Sequence, residues 1–450
     1  MNRAGLLGKK IKCTCGQQHQ VPVEKVVIKG KAIELLPKLL KDLKNPKKLL
    51  IVSDKNTHQI LGEKLAKILR KNNFLVQELV MQQDQVVADD ETASWVSRQV
   101  ENPDILVACG SGTITDLTKY AAWEHKKPFV AVATAASMNG YASNIVALTC
   151  KGLKRTIKVN PALAVIADLD IICAAPFAMT CAGLGDVISK PVANADWKLA
   201  SLIKKEHFCS LPFELIKDLE DIYFNQIKLL KQTDPKIMAA LMEALIYSGI
   251  SMVIAGSSAP ASGGEHLISH TLDIQANLQG KQHDFHGAQV GVATIFTSLL
   301  YEKMLNFKVK QIQTEQIIQK QKNKKNQTEQ EVALRKYWLD LYPEIAAEYA
   351  KKQMSWEKKQ EELKFIQENW AEIVHQIQPF LLSAAKIKRL LTDGGAKTHY
   401  TKLGLKKQEF KQAVLMAPFM RARYTILDLA QDFGLLEKFT NQIIGEDNHD

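Results

Sequence analysis

Between residues 26 and 168, short apolar runs alternate with amphipathic helical stretches, and few folds accept that rhythm. Strands are predicted at 26–28, 48–53, 74–81, 104–109 and 129–133, with helices up to residue 70, over 89–100 and over 113–125. A βαβα order implies a parallel sheet covered by helices, with ligands taken at the carboxyl ends of the strands. Residues 156–159 and 162–168 read as two more strands closing the region. Past residue 175 the β-branched runs fade and helical periodicity continues to the C-terminus. The expected fold class is therefore α/β: a Rossmann-like nucleotide-binding domain at 1–172, then an all-helical domain at 173–450. With 450 residues, 46% of them hydrophobic, the chain carries enough apolar mass for two cores.

The net charge of +11 suits a phosphorylated small substrate, nucleic acid or an acidic membrane surface. Much of the excess lies in lysine-rich stretches, which read as solvated helical faces. The densest is a Lys/Gln/Glu-rich segment at 308–364, expected to be a surface insertion of long, exposed helices around a polar break at 322–327. Its most basic part lacks interleaved aromatics, so no nucleic-acid partner is expected. The seven cysteines are odd in number and several lie in apolar runs, which fits reduced thiols and a cytoplasmic protein. No uncharged run of transmembrane length and no secretory leader are read from the sequence, so no membrane insertion is expected.

The apolar strand at 104–109 runs into Gly110-Ser111-Gly112-Thr113. Glycines there let backbone N–H groups approach a pyrophosphate at a helix N-terminus. The usual Gly-x-Gly-x-x-Gly is not met, so the signal draws strength from its neighbours: Asp116, Thr134 to Ser137 after the next strand, and Asp54 at the end of an earlier one. Asp54 has two open roles, acceptor for a ribose hydroxyl or N-cap of the following helix.

Three further segments bring together an acid and several histidines: Asp186 after two glycines, where a helix is expected to begin; His266 and His270, four apart and so on one helix face; and His283 with His286. One carboxylate and two imidazoles leave a tetrahedral position open, as in a catalytic rather than a structural metal site. Asp186, His266 and His286 are the expected ligands, with His270 beside the ion and His283 the weaker member. Cys13, Cys15 and His19 have the look of a zinc knuckle, but the set is one ligand short and no second cysteine pair follows nearby, so a plain structural role is expected.

These residues resemble the iron-containing alcohol dehydrogenase and dehydroquinate synthase superfamily, and within it the sn-glycerol-1-phosphate dehydrogenase group. The resemblance spans nearly the whole chain outside 308–364. It rests on Cys-Thr-Cys-Gly-Gln-Gln-His at 13–19, the Gly110 turn, Thr-Ala-Ala-Ser-Met-Asn-Gly-Tyr-Ala-Ser at 134–143, the three acid and histidine segments, and Arg-Ala-Arg-Tyr-Thr-Ile-Leu-Asp-Leu at 421–429. It implies a dehydroquinate synthase-like fold with the site in a cleft between the domains. It also implies NAD(H) or NADP(H), NAD favoured through Asp54, bound by Gly110, Gly112, Thr113, Asp116, Thr134, Ser137 and Ser143. One divalent metal (Zn, Ni or Fe) would sit on Asp186, His266 and His286. Asp186 and His270 would act in catalysis and, with Asn139, touch the substrate. The implied reaction is reduction of dihydroxyacetone phosphate to sn-glycerol 1-phosphate, by a homo-oligomer. The group usually has aspartate where this chain has Asn139; asparagine keeps the size and an acceptor oxygen but loses the charge. That departure leaves room for another polyol dehydrogenase or a sugar-phosphate cyclase on the same scaffold. A non-catalytic relic that binds metal and nucleotide is the remaining alternative.

Overall fold

The computed structural model describes residues 2–446. The chain groups into two compact units that are discontinuous in sequence, unlike a division at residue 172. The first holds Met1–Val187, Cys209–Ala261 and Leu390–Ala396; the second holds Ile188–Phe208, Ser262–Arg389 and Lys397–Asp450.

The first unit is built on a six-stranded sheet. Its strands are β3 (Lys25–Lys29), β4 (Lys48–Asp54), β5 (Leu75–Met81), β6 (Ile105–Gly110), β7 (Phe129–Ala133) and β10 (Ala164–Asp168), in the order β3-β10-β7-β6-β4-β5. Every pairing is parallel. The inner strands β6, β7 and β10 are buried at every position, as strands covered by helices on both faces must be. Their apolar runs therefore show no alternation. The chain steps from β4 outward to β5 and then back to β6 on the other side. This reversal opens a crevice at the carboxyl ends of β4 and β6, where Asp54 and Gly110 lie.

Two antiparallel hairpins stand outside this sheet: β1 (Lys10–Lys12) with β2 (Gln18–Gln20), and β8 (Ile145–Cys150) with β9 (Leu153–Lys158). Residues 156–159, expected to help close the sheet, belong mostly to β9, where neighbouring residues such as Arg155 and Thr156 are exposed. The helix Pro235–Ala255 is long and apolar enough by composition to cross a membrane, contrary to the expectation that no such run exists. Most of it is buried inside the protein, in contact with β2, β3 and the helix Leu211–Gln226, so its apolarity has an internal partner.

The regular elements described in the second unit are all helical. Here the segment at 308–364 departs from its expected character. Its helices Thr314–Lys322, Lys324–Trp338, Tyr342–Ala350 and Trp356–Glu368 bury Ile318, Trp338, Ile345, Leu363 and Ile366. Leu334 with Trp338, and Leu363 with Ile366, share helix faces at spacings of four and three, a narrow apolar stripe masked by surrounding charge. The polar break shrinks to Asn323, whose side chain caps the next helix by accepting from Lys325 N–H at 2.9 Å. Lys359 pairs with Asp432 at 2.6 Å, and Lys352 donates to the Arg423 carbonyl at 3.2 Å and to Asp428. The segment is thus part of the unit, tied to the 421–432 stretch.

Candidate active site

In the first unit β6 ends at Gly110 and the helix Gly112–Glu124 begins two residues later, with Ser111 extended at the N-cap. A Cβ at Gly110 would lie 2.6 Å from the Ile114 side chain, so only glycine allows this tight hand-over. The first turn carries no carboxylate, and its free N–H groups form an anion-binding end. Gly112 and Thr113 are half-buried there, and Thr134, almost fully buried, donates its N–H to the Gly110 carbonyl at 3.2 Å. Tyr141 donates its hydroxyl to the Ala135 carbonyl at 2.7 Å and lies within hydrogen-bonding reach of Ser137, which shapes the 134–137 loop.

Asp54 is a helix cap. Its Oδ1 accepts from Thr57 N–H at 2.7 Å and from the Thr57 hydroxyl at 3.0 Å, in a reciprocal capping box. It still stands at the carboxyl end of β4, beside the strand that carries the glycine turn.

Lys119 organises the region and was missed in the sequence. It is fully buried and donates to the Gly140 carbonyl at 2.6 Å, the Ile145 carbonyl at 3.0 Å, Ser143 Oγ at 3.1 Å and Asp116 Oδ1 at 3.4 Å. Burial raises the Asp116 carboxyl and lowers the Lys119 ammonium, while the charge of each pulls the other back. Asp116 also accepts from Ala147 N–H at 3.3 Å. Asp116 and Ser143 are thus anchored to one lysine. Its only sequence signal is a charge placed three residues after Asp116 on an otherwise apolar helix face.

Asp186 does not begin a helix; it lies in the last turn of Phe177–Ile188. Of the two glycines before it, Gly183 serves packing, as does Gly249 on the helix Pro235–Ala255. A Cβ at Gly183 would fall 2.0 Å from the Ala136 carbonyl oxygen, and one at Gly249 would fall 2.5 Å from the Asn139 carbonyl oxygen. Two glycines on two helices therefore let both backbones press against the 136–139 loop. Asp186 is buried, and its Oδ2 accepts from Asn139 N–H at 2.9 Å. The Asn139 side-chain amide donates to Ser248 Oγ at 3.1 Å, which orients the residue that departs from the aspartate pattern.

In the second unit the helix Gly264–Leu278 carries His266 and His270, and His286 opens the helix His286–Leu305. The ring centroids lie 6.2 Å (His266–His270), 5.2 Å (His266–His286) and 5.1 Å (His270–His286) apart. Hydrogen bonds select the tautomers. Ser269 donates to Gln289 Oε1 at 2.8 Å, so its oxygen accepts from His286 Nδ1–H at 3.0 Å, which places the ring proton on Nδ1 and leaves Nε2 as the acceptor nitrogen. Glu265 accepts from His266 Nδ1 at 2.8 Å, with the same effect on His266. An imidazole whose outer N–H is held by a fixed acceptor is what a metal centre requires, so these residues fit a divalent ion. The buried Asp273, unforeseen from sequence, adds a carboxylate whose oxygen, with donor atoms of His270 and His286, falls in one group spanning no more than 4.8 Å. His283 is exposed; its Nδ1 faces Asp273 at 3.2 Å and the Asp284 carbonyl at 2.9 Å, and it stays the peripheral member.

Asp196 holds this cluster's scaffold together. Fully buried, it accepts from Gly264 N–H at 2.8 Å, from Ile426 N–H at 2.8 Å and from the Tyr301 hydroxyl at 2.5 Å. It thereby joins both histidine helices to the 421–429 segment. Burial, reinforced by the Glu265 charge, pushes its carboxyl up to about 7.

Against known proteins, the family model described as iron-containing alcohol dehydrogenase matches residues 27–176. Glycerol-1-phosphate dehydrogenase [NAD(P)+] of Geobacillus thermodenitrificans is 33% identical over 286 residues, covering 63% of this chain and 70% of that protein. The enzyme of the same name from Pyrococcus furiosus is 35% identical over 284 residues, covering 63% and 80%. Among solved structures, glycerol dehydrogenase from Schizosaccharomyces pombe superposes with a TM-score of 0.60 at 14% identity, covering 95% of this chain and 92% of that one. That likeness speaks to the fold, and the sequence relatives speak to the family. The chain belongs to the glycerol-1-phosphate dehydrogenase family, NAD(P)-dependent oxidoreductases of the iron-containing alcohol dehydrogenase group.

Proposed function

We propose that this protein reduces dihydroxyacetone phosphate to sn-glycerol 1-phosphate with NADH in the cytoplasm, and runs the reverse reaction. The reading is carried by one observation: a family member whose His266 and His286 have their Nδ1 atoms held by Glu265 and Ser269, which fixes both rings in the tautomer that ligates through Nε2. Asp186, His266 and His286 are the proposed ligands. When bound, the metal supplies Lewis acidity and the nicotinamide supplies hydride.

The chain's own residues do the rest. Gly110, Gly112 and Thr113 cradle the dinucleotide phosphates, while Asp116, Thr134, Ser137 and Ser143 shape the wall around them. Asp54 keeps its second carboxylate oxygen for a ribose hydroxyl, which disfavours a 2′-phosphate and so favours NADH. Asn139 and Asp186 orient the substrate hydroxyl. His270 moves the proton that balances hydride addition. The net positive charge of the chain draws the dianionic substrate in.

The test is NADH oxidation with dihydroxyacetone phosphate, run beside dihydroxyacetone, with chiral analysis of the product. Turnover of the phosphorylated ketone to the sn-1 isomer supports the reading; turnover of the unphosphorylated ketone alone overturns it. A different polyol substrate on the same scaffold is the second reading, and Asn139 in place of aspartate favours it.

A further inference from the structure

A second cluster of ligand-type side chains lies in the first unit. The β1–β2 hairpin pairs Ile11 with His19, and its turn is closed by Cys13 N–H on the Gln17 carbonyl and Gly16 N–H on the Cys13 carbonyl, both at 3.1 Å. Gly16 takes a φ of +84°, the left-handed conformation that lets the chain double back within one turn. Cys13, Cys15 and His19 consequently point to one side. The fourth member comes from far along the chain: Cys209, buried, just ahead of the helix Leu211–Gln226.

Cys13 Sγ lies 3.5 Å from Cys209 Sγ, His19 Nε2 lies 3.5 Å from Cys209 Sγ, and Cys15 Sγ lies 3.2 Å from His19 Nε2. The four donor atoms all fall within 4.8 Å of one another. A tetrahedral zinc with Zn–S of about 2.3 Å and Zn–N of about 2.0–2.1 Å has S···S edges of roughly 3.8 Å and S···N edges of roughly 3.5 Å. The observed edges match or fall a few tenths short of these, an adjustment that side-chain torsions supply. Backbone N–H groups of Cys15 and Leu211 point at the sulfurs of Cys13 and Cys209, the contacts that support thiolates. A disulfide needs sulfurs about 2.05 Å apart, and all seven cysteines are free.

We propose that Cys13, Cys15, His19 and Cys209 form a Cys₃His structural zinc site, separate from the ion assigned to the histidine helices. Four protein ligands leave no open position, so the ion here is a fastener and not a reagent. Three sulfurs and one imidazole select zinc over hard cations such as magnesium. The fastener joins residues 196 positions apart. Beside it, Arg3 donates to the Leu215 carbonyl at 2.6 Å and faces Glu243 at 3.7 Å, and β2 packs on the helix Pro235–Ala255. That helix carries Ser248 and Gly249 against Asn139, so the zinc would stiffen the platform beneath the proposed substrate loop.

The test uses the full-length chain, purified without chelator, with elemental analysis and thiol titration. His266→Ala should retain about one zinc per chain, because the fastener does not use the histidine helices. Cobalt added to metal-free His266→Ala should give a thiolate-to-cobalt charge-transfer band, and the band should vanish in Cys13→Ser and in Cys209→Ser. On the native chain, an organomercurial should release zinc in step with thiol capture, a readout independent of whether the serine variants fold. A cobalt spectrum with no thiolate band overturns the assignment, as does a Cys13–Cys209 disulfide in protein purified without reductant. Because the band reports sulfur ligands alone, a failed catalytic reading would leave it intact.

Discussion

The glycine-turn region of the first unit and the histidine region of the second are built from different materials. The first is made of backbone: the glycine turn at 110–112, a free helix end, and two helices pressed onto the 136–139 loop where Gly183 and Gly249 leave no Cβ. The second is made of side chains held by other side chains: His266 by Glu265, and His286 by Ser269, which is itself held by Gln289. A backbone site fails when atoms are added to it; a side-chain site fails when they are removed.

The largest effect should come from removal. His266→Ala should lose the ion on the histidine helices and reduce turnover to background, because the remaining ligands hold it poorly. Ser269→Ala keeps every ligand and loses only the group that fixes the His286 tautomer. Metal affinity should fall by roughly 10- to 100-fold, the usual cost of deleting such a partner. Elemental analysis after dialysis against graded chelator measures both, and unchanged affinity in Ser269→Ala would mean that the comparison is wrong.

Addition should be the damaging change on the other side. Gly183→Ala places a Cβ 2.0 Å from a carbonyl oxygen that has no rotamer to escape by. It should cost about 1–3 kcal/mol or more in stability and raise the Michaelis constant for NADH. Gly112→Ala meets only the flexible Met138 side chain, at 3.1 Å from Cγ and 3.4 Å from Cε, so its stability cost should be smaller. Thermal melts of the two variants side by side sharpen the contrast; equal losses would remove it.

This difference also explains what could be read in advance. The parallel strands and the Gly110 turn are local patterns, and 104–109 and 129–133 are legible because every residue in them except Asp104 is apolar. The spacing of His266 and His270 is equally local. What was hidden depends on closure across the chain. Cys209 meets Cys13 only once both are folded, and Lys119 gains its acceptors at Gly140, Ser143 and Ile145 only when the fold brings them around it. Gly183 and Gly185 looked like a helix start because glycine so often marks an end; in the fold Gly183 marks a close approach. The stripe through Leu334 and Trp338 was outvoted by the lysines and glutamines around it.

A pH series separates the units further. Asp196 has its carboxyl raised to about 7, against about 3.9 for an unfolded aspartate. The folded form binds the proton more tightly, so this group's contribution to stability is full below about pH 4 and is lost as pH rises toward 7. Asp196→Asn should flatten the stability curve of the second unit across that window. Denaturant melts at pH 5 and pH 7 report it, and a slope equal to the parent's would assign the dependence to other groups.

Asn139→Asp tests the meeting of the two styles within the first unit, since its backbone N–H binds Asp186 and its side chain binds Ser248. The swap is nearly isosteric, so stability should change little. A charged acceptor makes a hydrogen bond of roughly 1.5–3 kcal/mol against about 1 for a neutral one. Catalytic efficiency with dihydroxyacetone phosphate should therefore hold or rise by up to about tenfold. Reduced activity with the true substrate and no gain with this ketone would favour a different polyol.

The smallest effect belongs to the polar turn around Asn323. Lys324, Lys325, Thr328 and Glu329 are exposed, and apart from an exposed ion pair of Lys322 with Glu357 at 3.7 Å the bonds of this stretch run locally, such as Asn326 to the Lys320 carbonyl at 2.6 Å and Gln327 to the Gln321 carbonyl at 3.3 Å. The residues that tie the segment to the rest of its unit, Lys352, Lys359 and Tyr337, whose carbonyl accepts from Gln275 at 2.9 Å, lie outside it. Replacing 322–329 with a short glycine-serine linker should leave metal content and Michaelis constants nearly unchanged, because surface changes away from packed features stay within about 0.5 kcal/mol. A marked loss of either would show that the turn reaches a ligand or another subunit, and the line between a packed insertion and its exposed tip would have to be redrawn.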